Sequence, residues 1–110
     1  MVERLGGLDS TYHALSHPVR RSMLELLQEG PARVTELSRP FDMSLAACSK
    51  HLKVLEAASL VSRQIGGREH VLALEPAPLA DAAGWIGSYR EFWESRLDAL
   101  AAHFEARPRA

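Results

Sequence analysis

The amino-acid sequence predicts a mainly α-helical fold with one small β-hairpin. Over most of the 110 residues, apolar side chains recur every three or four positions, whereas residues 61–74 show strand-like segments around a glycine pair. Hydrophobic residues make up 46% of the chain and charged residues 25%, which is typical of a folded globular protein. A chain of this length holds one core. We therefore expect one domain over residues 1–110, with a core at 8–74 and a C-terminal helix at 79–106.

Four helices are expected before the hairpin. The first covers Leu8 to Leu15, and the second runs from Pro18 to about Gln28, because a proline fits the first helical turn, where its missing N–H costs no hydrogen bond. A short third helix covers about Val34 to Ser38. Ser44 is a good N-cap for a fourth helix that extends to about Ala58.

A hairpin and a long final helix complete the expected fold. Val61 to Ile65 and Glu69 to Leu74 are predicted strands around Gly66 and Gly67, residues that tolerate a positive φ. The final helix, from about Leu79 to Ala106, would extend about 42 Å at 1.5 Å per residue. Two helices joined by a tight turn and followed by a hairpin predict a winged helix-turn-helix with a long C-terminal dimerisation helix.

Charge is distributed unevenly along the chain. The formal net charge is −1, which by itself does not favour a nucleic-acid partner. Residues 44–68, however, carry four bases and the single acid Glu56, a local charge of +3. Because binding to DNA depends on the local field at the contact surface, this segment is where we expect contact with double-stranded DNA.

The sequence also predicts a cytoplasmic protein without a membrane partner. No apolar run approaches the roughly 20 residues of a membrane helix, and the N-terminus does not resemble a signal peptide. The single cysteine, Cys48, excludes an intramolecular disulfide and suggests a reducing compartment.

The helical phase divides the fourth helix into two sides. Leu45, Cys48, Leu52 and Leu55 are expected to face the core, while small and basic residues face away and fit a major groove. Taken alone, the lysines fit an ordinary solvated face equally well. A basic hairpin beside them favours DNA contact through the groove and the wing. The DNA-binding residues predicted on these grounds are Ala46, Ala47, Lys50, Lys53, Arg63 and Arg68.

The segment from His13 to Leu74 resembles the core of the ArsR-type transcriptional repressors. Its most specific part lies within Met43 to Val61, which carries the pattern S-K-H-L-x-x-L-x-x-x-G-L-V with Ser59 in place of the glycine. A left-handed residue there would cost serine some energy. The stretch Gly87 to Phe104 is similar to the tail of a metal-independent branch. That branch implies a dimeric repressor, often of its own operon, whose effector is frequently unidentified. By position, the resemblance also implies that the DNA-reading segment contains Ser44, Ala46, Ala47, Ser49, Lys50, His51 and Lys53, and that the wing contains Arg68.

No metal or other cofactor is expected. The family's metal sites need a cysteine pair in the third helix or Asp, His and Glu ligands in the last one, and the sequence has neither arrangement. His13 and His17 are four residues apart but lack a third ligand, and His17 is expected to cap the second helix. Cys48 could act as a redox switch, although its phase fits a buried, unreactive thiol.

The last helix is predicted to form a homodimer interface. Its apolar arc is wider than the core could cover, and two-fold pairing would bury it. The alternative is a helix folded back on its own domain. Two recognition helices about one DNA turn apart would read a palindromic operator. The predicted interface residues are Leu79, Ile86, Tyr89, Trp93, Leu97, Leu100 and Phe104.

Together these features predict a sequence-specific DNA-binding regulator, a homodimeric repressor of its own operon. One alternative is a winged-helix protein-interaction module without DNA affinity, and another is a metal- or redox-responsive sensor. An enzyme is not expected, because Ser, His and Asp are scattered without a nucleophile–base pairing and no glycine-rich phosphate loop is present.

Overall fold

A computed structural model describes the backbone of residues 2–106 and the side chains of residues 7–106. The predicted helices and hairpin follow one another in the expected order, and the mainly α-helical winged helix-turn-helix is confirmed. The elements are α1 (Val2–Leu15), α2 (Pro18–Leu27), β1 (Ala32–Arg33), α3 (Val34–Ser38), α4 (Leu45–Ala57), β2 (Val61–Gly66), β3 (Glu69–Leu74), α5 (Ala77–Gly87) and α6 (Arg90–Ala106).

Helix α1 begins six residues before the predicted start at Leu8. A glycine pair at 6–7 pointed to a break, since each glycine disfavours a helix by about 1 kcal/mol relative to alanine. The helix continues through the pair, and the Thr11 hydroxyl donates to the Gly7 carbonyl within it at 2.9 Å.

The sheet has three antiparallel strands in the order β1-β3-β2, one more than the sequence predicted. Strand β1 is only two residues long, too short for an alternating pattern, and it pairs Ala32 with Leu72. Strands β2 and β3 form the predicted hairpin. Its turn residues are Gly67 and Arg68, one position later than expected, and Gly67 has a φ of +61°. Glycine adopts this left-handed conformation at no steric cost.

The core lies between α2, α3, α4 and the base of the sheet. One side of α4 supplies Cys48, Leu52 and Leu55, all fully buried. They pack with further fully buried side chains from the other elements, namely Met23, Leu37, Leu60 and Leu72. The prediction that Leu45 also belongs to the core is wrong, because its exposed fraction is 52%. It lies in the first turn of α4, before the level at which the neighbouring elements cover the helix.

The end of α4 has the strained backbone that the motif implied. Ser59 has a φ of +59°, and the reversal lets Leu60 donate its N–H to the Leu55 carbonyl at 3.0 Å. A left-handed residue with a Cβ costs roughly 1–2 kcal/mol, which glycine avoids. The expectation of a left-handed residue at this position is confirmed.

The C-terminal segment is helical as predicted, but it is divided. Ser88 and Tyr89 separate α5 from α6. Here the Tyr89 N–H bonds to the Ile86 carbonyl, three residues back, and the Ser88 hydroxyl donates to the Trp85 carbonyl at 2.6 Å. A serine hydroxyl that competes for backbone groups, next to Gly87, explains the tightened turn.

Helix α5 packs against α1, whereas α6 extends away from the domain. The Tyr12 hydroxyl donates to the Ala82 carbonyl at 3.2 Å, and the Tyr12 ring meets Trp85 edge-on with centroids 6.1 Å apart. Every residue of α6 is exposed. The radius of gyration is 19.8 Å, against about 13 Å for a compact chain of this length. The alternative of a last helix folded back on its own domain is therefore wrong for α6.

Replacing Ser59 by glycine should stabilise the protein. Release of the left-handed strain outweighs the added freedom of the unfolded chain, so we expect a gain of about 0.5–1 kcal/mol and a melting temperature several degrees higher. The same change at Ser10, an exposed helical position, should lower the melting temperature. Thermal unfolding followed by circular dichroism at one protein concentration measures both, and a less stable Ser59→Gly variant would contradict the strain.

Candidate nucleic-acid interface

The side of α4 opposite the core carries small and basic side chains. Ala46, Lys50 and Lys53 are exposed, while Ala47 and Ser49 beside them are half-buried. Among the described residues, neither lysine takes part in an ion pair. This side of α4, from residue 44 to residue 53, is called the α4 surface below. It can admit a polyanion closely, because its alanines leave room and its two cations are uncompensated.

Ser44 fixes the start of α4. Its hydroxyl oxygen accepts the Ala47 N–H at 3.1 Å, as an N-cap does, and the Ser44 side chain stays exposed. An N-cap of this kind is worth about 1 kcal/mol. The first turn of α4, which carries Leu45 and Ala46, is therefore held in a defined conformation.

His51, on the flank of α4, takes part in a cluster with α2 that the sequence did not reveal. Its Nδ1 lies 3.2 Å from Nη1 of Arg20, and its ring lies beside that of His17, with centroids 4.4 Å apart and the ring planes tilted by 46°. A guanidinium only donates, so His51 accepts through an unprotonated Nδ1. His51 is thus engaged within the chain and joins α4 to α2.

Arg20 is the centre of this cluster and is buried. Its Nε donates to the Ala14 carbonyl at 2.7 Å and its Nη2 to the His13 carbonyl at 2.9 Å, so it caps the end of α1. His17 caps α2 as expected, with its Nδ1 accepting the Val19 N–H at 3.1 Å. No pattern in the sequence separates Arg20 from its neighbour Arg21; only the tertiary contact does.

The wing carries one engaged arginine and one exposed arginine. Nε of Arg63 donates to Oε1 of Glu56 at 3.1 Å, and its Nη1 lies 2.9 Å from Nδ1 of His70. The only acid of the basic segment therefore compensates Arg63 and ties the wing to the end of α4. Arg68, in the turn, is exposed and forms no ion pair with any described residue.

Arg33, the last residue of β1, links α3 to strand β3 of the wing. Its guanidinium contacts Glu36 at 3.2 Å and Glu69 at 3.1 Å. The backbone hydrogen bond from the Arg33 N–H lowers the pKa of Glu36 most, and the Arg33 side chain adds to the effect. All three side chains are well exposed, so these pairs contribute little stability and mainly orient α3 against β3.

The described residues contain no group of three or more His, Cys, Asp or Glu side chains placed to hold a metal ion. Cys48 is fully buried on the core-facing side of α4, as its helical phase predicted. None of the helices in the described part is long and apolar enough to cross a membrane.

The predicted interface residues fall into two groups. Leu79 is half-buried and packs against the core of its own chain. The other six keep between 50% and 61% of their surface exposed, namely Ile86, Tyr89, Trp93, Leu97, Leu100 and Phe104. Around the junction of α5 and α6, Trp85, Ile86, Tyr89 and Trp93 line an open groove of about 570 Å³. These six residues and this groove are called the apolar α5–α6 face below.

A helix-turn-helix followed by a hairpin, with uncompensated cations on α4 and on the hairpin turn, defines a winged helix-turn-helix protein of the DNA-binding class. Residues 15–64 match a family model described as a helix-turn-helix domain. The chain is 42% identical over 72 residues to HTH-type transcriptional regulator Rv2034 of Mycobacterium tuberculosis, a match that covers 66% of this chain and 67% of that protein. It is 28% identical over 79 residues to the transcriptional repressor SdpR of Bacillus subtilis, covering 72% and 88%.

Solved structures give the same result. The crystal structure of the ArsR family transcriptional regulator RHA00566 superposes with a TM-score of 0.74 at 37% identity, covering 86% of this chain and 95% of that one. An ArsR-like transcriptional regulator from Rhodococcus sp. RHA1 superposes with a TM-score of 0.71 at 28% identity, covering 94% and 97%. The chain therefore belongs to the ArsR family and is a DNA-binding transcriptional regulator. The resemblance drawn from Met43–Val61 is confirmed.

His51 should make the stability of the protein depend on pH. Burial, then the nearby His17 and Arg20, lower the pKa of His51 below its usual 6.5. The unfolded chain therefore binds the proton more readily, and stability is lost as the pH falls from about 6.5 towards the lowered pKa. We expect a lower melting temperature at pH 5.5 than at pH 7.5.

The matched variant is His51→Asn, whose amide oxygen can accept from Arg20 near the position of Nδ1 but does not titrate. Its melting temperature should fall less between the two pH values than that of the wild type. An equal fall in melting temperature in both proteins would show that protonation of His51 does not cause the loss of stability.

Proposed function

We propose that this protein is a homodimeric repressor that binds a palindromic operator, including that of its own operon, without a metal. The observation that carries the proposal is the set of three exposed, uncompensated cations on the two DNA-reading elements. Lys50 and Lys53 lie on α4, and Arg68 lies at the wing tip. Such charges on a helix and an adjoining hairpin suit phosphates and base edges on one side of a duplex.

In the proposed complex, α4 enters the major groove. Ser44, Ala46, Ala47 and Ser49 lie closest to the bases, because their small side chains allow close approach, and the two lysines reach phosphates or guanine. Arg68 contacts the backbone or the minor groove next to it. His51 and Arg63 remain beside the DNA, but their existing partners suit them to holding α4 and the wing in position.

The apolar α5–α6 face supports the homodimer. Six large hydrophobic side chains at least half exposed on one segment exceed what a soluble monomer usually leaves in water. Aromatic residues are favoured anchors at the centre of interfaces. Two-fold pairing through this face would bury it and place two α4 helices on one side of a duplex.

The name of one relative supports repression, and the composition of α3 supports the absence of a metal. One similar protein is named a transcriptional repressor. The segment Val34–Ser38 contains no cysteine, so the thiolate pair that the family's metal sites use there is absent. A dimer bound across a promoter represses by occluding it.

Lys50→Ala combined with Lys53→Ala should weaken binding to the DNA upstream of the protein's own gene at least tenfold. Because fewer phosphates are then neutralised, binding should also become less sensitive to salt, by about one unit of slope for each phosphate concerned. A mobility shift at several KCl concentrations measures both effects. The matched control is Lys50→Arg with Lys53→Arg, which keeps the charge and should retain binding.

Unchanged affinity of the alanine variant would mean that the α4 surface does not face DNA. If the wild type shows no salt-sensitive retardation with that DNA, autoregulation fails. If no duplex is retarded, the alternative of a protein-interaction module without DNA affinity is favoured. The net charge of −1 is consistent with that alternative.

Trp93→Glu should convert the dimer into monomers. Trp93 is 60% exposed within its own chain, so the glutamate leaves the fold intact but introduces charge into the proposed interface. Light scattering should show the mass of one chain, 12.1 kDa, in place of two. Trp93→Phe should stay dimeric, and a dimeric Trp93→Glu variant would remove this residue from the interface.

A further inference from the structure

An aliphatic side chain stands exposed in the first turn of α4. Leu45 keeps 52% of its surface in solvent, although its helical phase resembles that of the buried Cys48 and Leu52. Among the described residues before α5, the large hydrophobic side chains that are exposed are Leu26, Leu45 and Ile65. Of these, Leu45 alone belongs to α4.

The fold does not require a leucine at this position. The core is filled from Cys48 onwards, and the helix start is already stabilised by the Ser44 cap. Alanine would form this first turn at least as well as leucine. An exposed leucine that neither fills the core nor caps the helix is available to a ligand.

The surroundings of Leu45 fit a nucleic-acid ligand better than a protein surface. Ala46 lies next to it in the first turn, and Lys50 and Lys53 follow further along α4, on the side of the helix that faces away from the core. Protein interfaces are depleted in lysine, whereas a polyanion attracts it. In the major groove the apolar group that a base presents is the 5-methyl of thymine.

We propose that Leu45 contacts the 5-methyl group of a thymine at one fixed position in each half of the operator, and so specifies an A·T pair there. The first residues of a recognition helix lie nearest the base edges. The Ser44–Ala47 hydrogen bond of 3.1 Å holds this turn rigid, so the leucine meets one base position. The proposal rests on the proposed function, because it requires α4 to read DNA.

The experiment compares thymine with deoxyuridine, which lacks only the methyl group. Duplexes are selected from a random pool with the wild-type protein, and the best is resynthesised with deoxyuridine at one thymine position of each half-site at a time. At one position the wild type should lose affinity by about fourfold for each half-site, and by about sixteenfold for both, as expected for the loss of one buried methyl group per half-site. Leu45→Ala should bind the thymine duplex more weakly and should not distinguish the two bases at that position.

Leu26→Ala is the matched control, since it truncates an exposed leucine on α2 and should keep the thymine preference. Thermal unfolding confirms that both variants are folded. A wild type that binds the selected duplex but tolerates deoxyuridine at every position would overturn the role of Leu45 and leave the proposed function standing. A Leu45→Ala variant that keeps the preference would also overturn it. If no duplex is enriched at all, the proposed function fails, and the inference fails with it.

Discussion

The structure depends on the burial of one side of α4. Cys48, Leu52 and Leu55 are fully enclosed by α2, α3 and the base of the sheet, which fixes the rotation of the helix about its axis. Because these side chains cannot turn outward without opening the core, Lys50 and Lys53 must face away from it. The chemistry of the exposed surface is therefore set by packing on the opposite side.

The Arg20–His51 contact and the Arg63–Glu56 pair then fix α4 against α2 and the wing.

Most of the fold was predictable because the elements have strong local signals. Pro18 and Ser44 begin helices where their backbone chemistry requires, and Ser59 has the left-handed conformation that its place in the motif implied. The features that were missed depend on local detail or tertiary context. Strand β1 is too short to show a period, and the break at Ser88 arises from competition for a few hydrogen bonds.

The candidate site was predictable in its exposure but not in its contacts. Helical phase correctly placed Lys50 and Lys53 outside, yet it placed Leu45 inside, because phase ignores where along a helix the core begins. The sequence predicts the same role for Arg63 and Arg68, but the structure pairs Arg63 with Glu56. Glu56 lies seven residues before Arg63 and on a different element, α4. Sequence spacing alone therefore does not reveal that the two side chains meet.

The division of the C-terminal segment has a consequence for the proposed assembly. Helix α5 is attached to its own domain through Tyr12, whereas every residue of α6 is exposed. In the proposed homodimer, Ser88 and Tyr89 would connect the winged helix-turn-helix to the helix that pairs with the partner. The angle between α5 and α6 would then determine the distance between the two α4 helices, so substitutions at these two residues would change the preferred spacing of the proposed half-sites without altering the α4 surface.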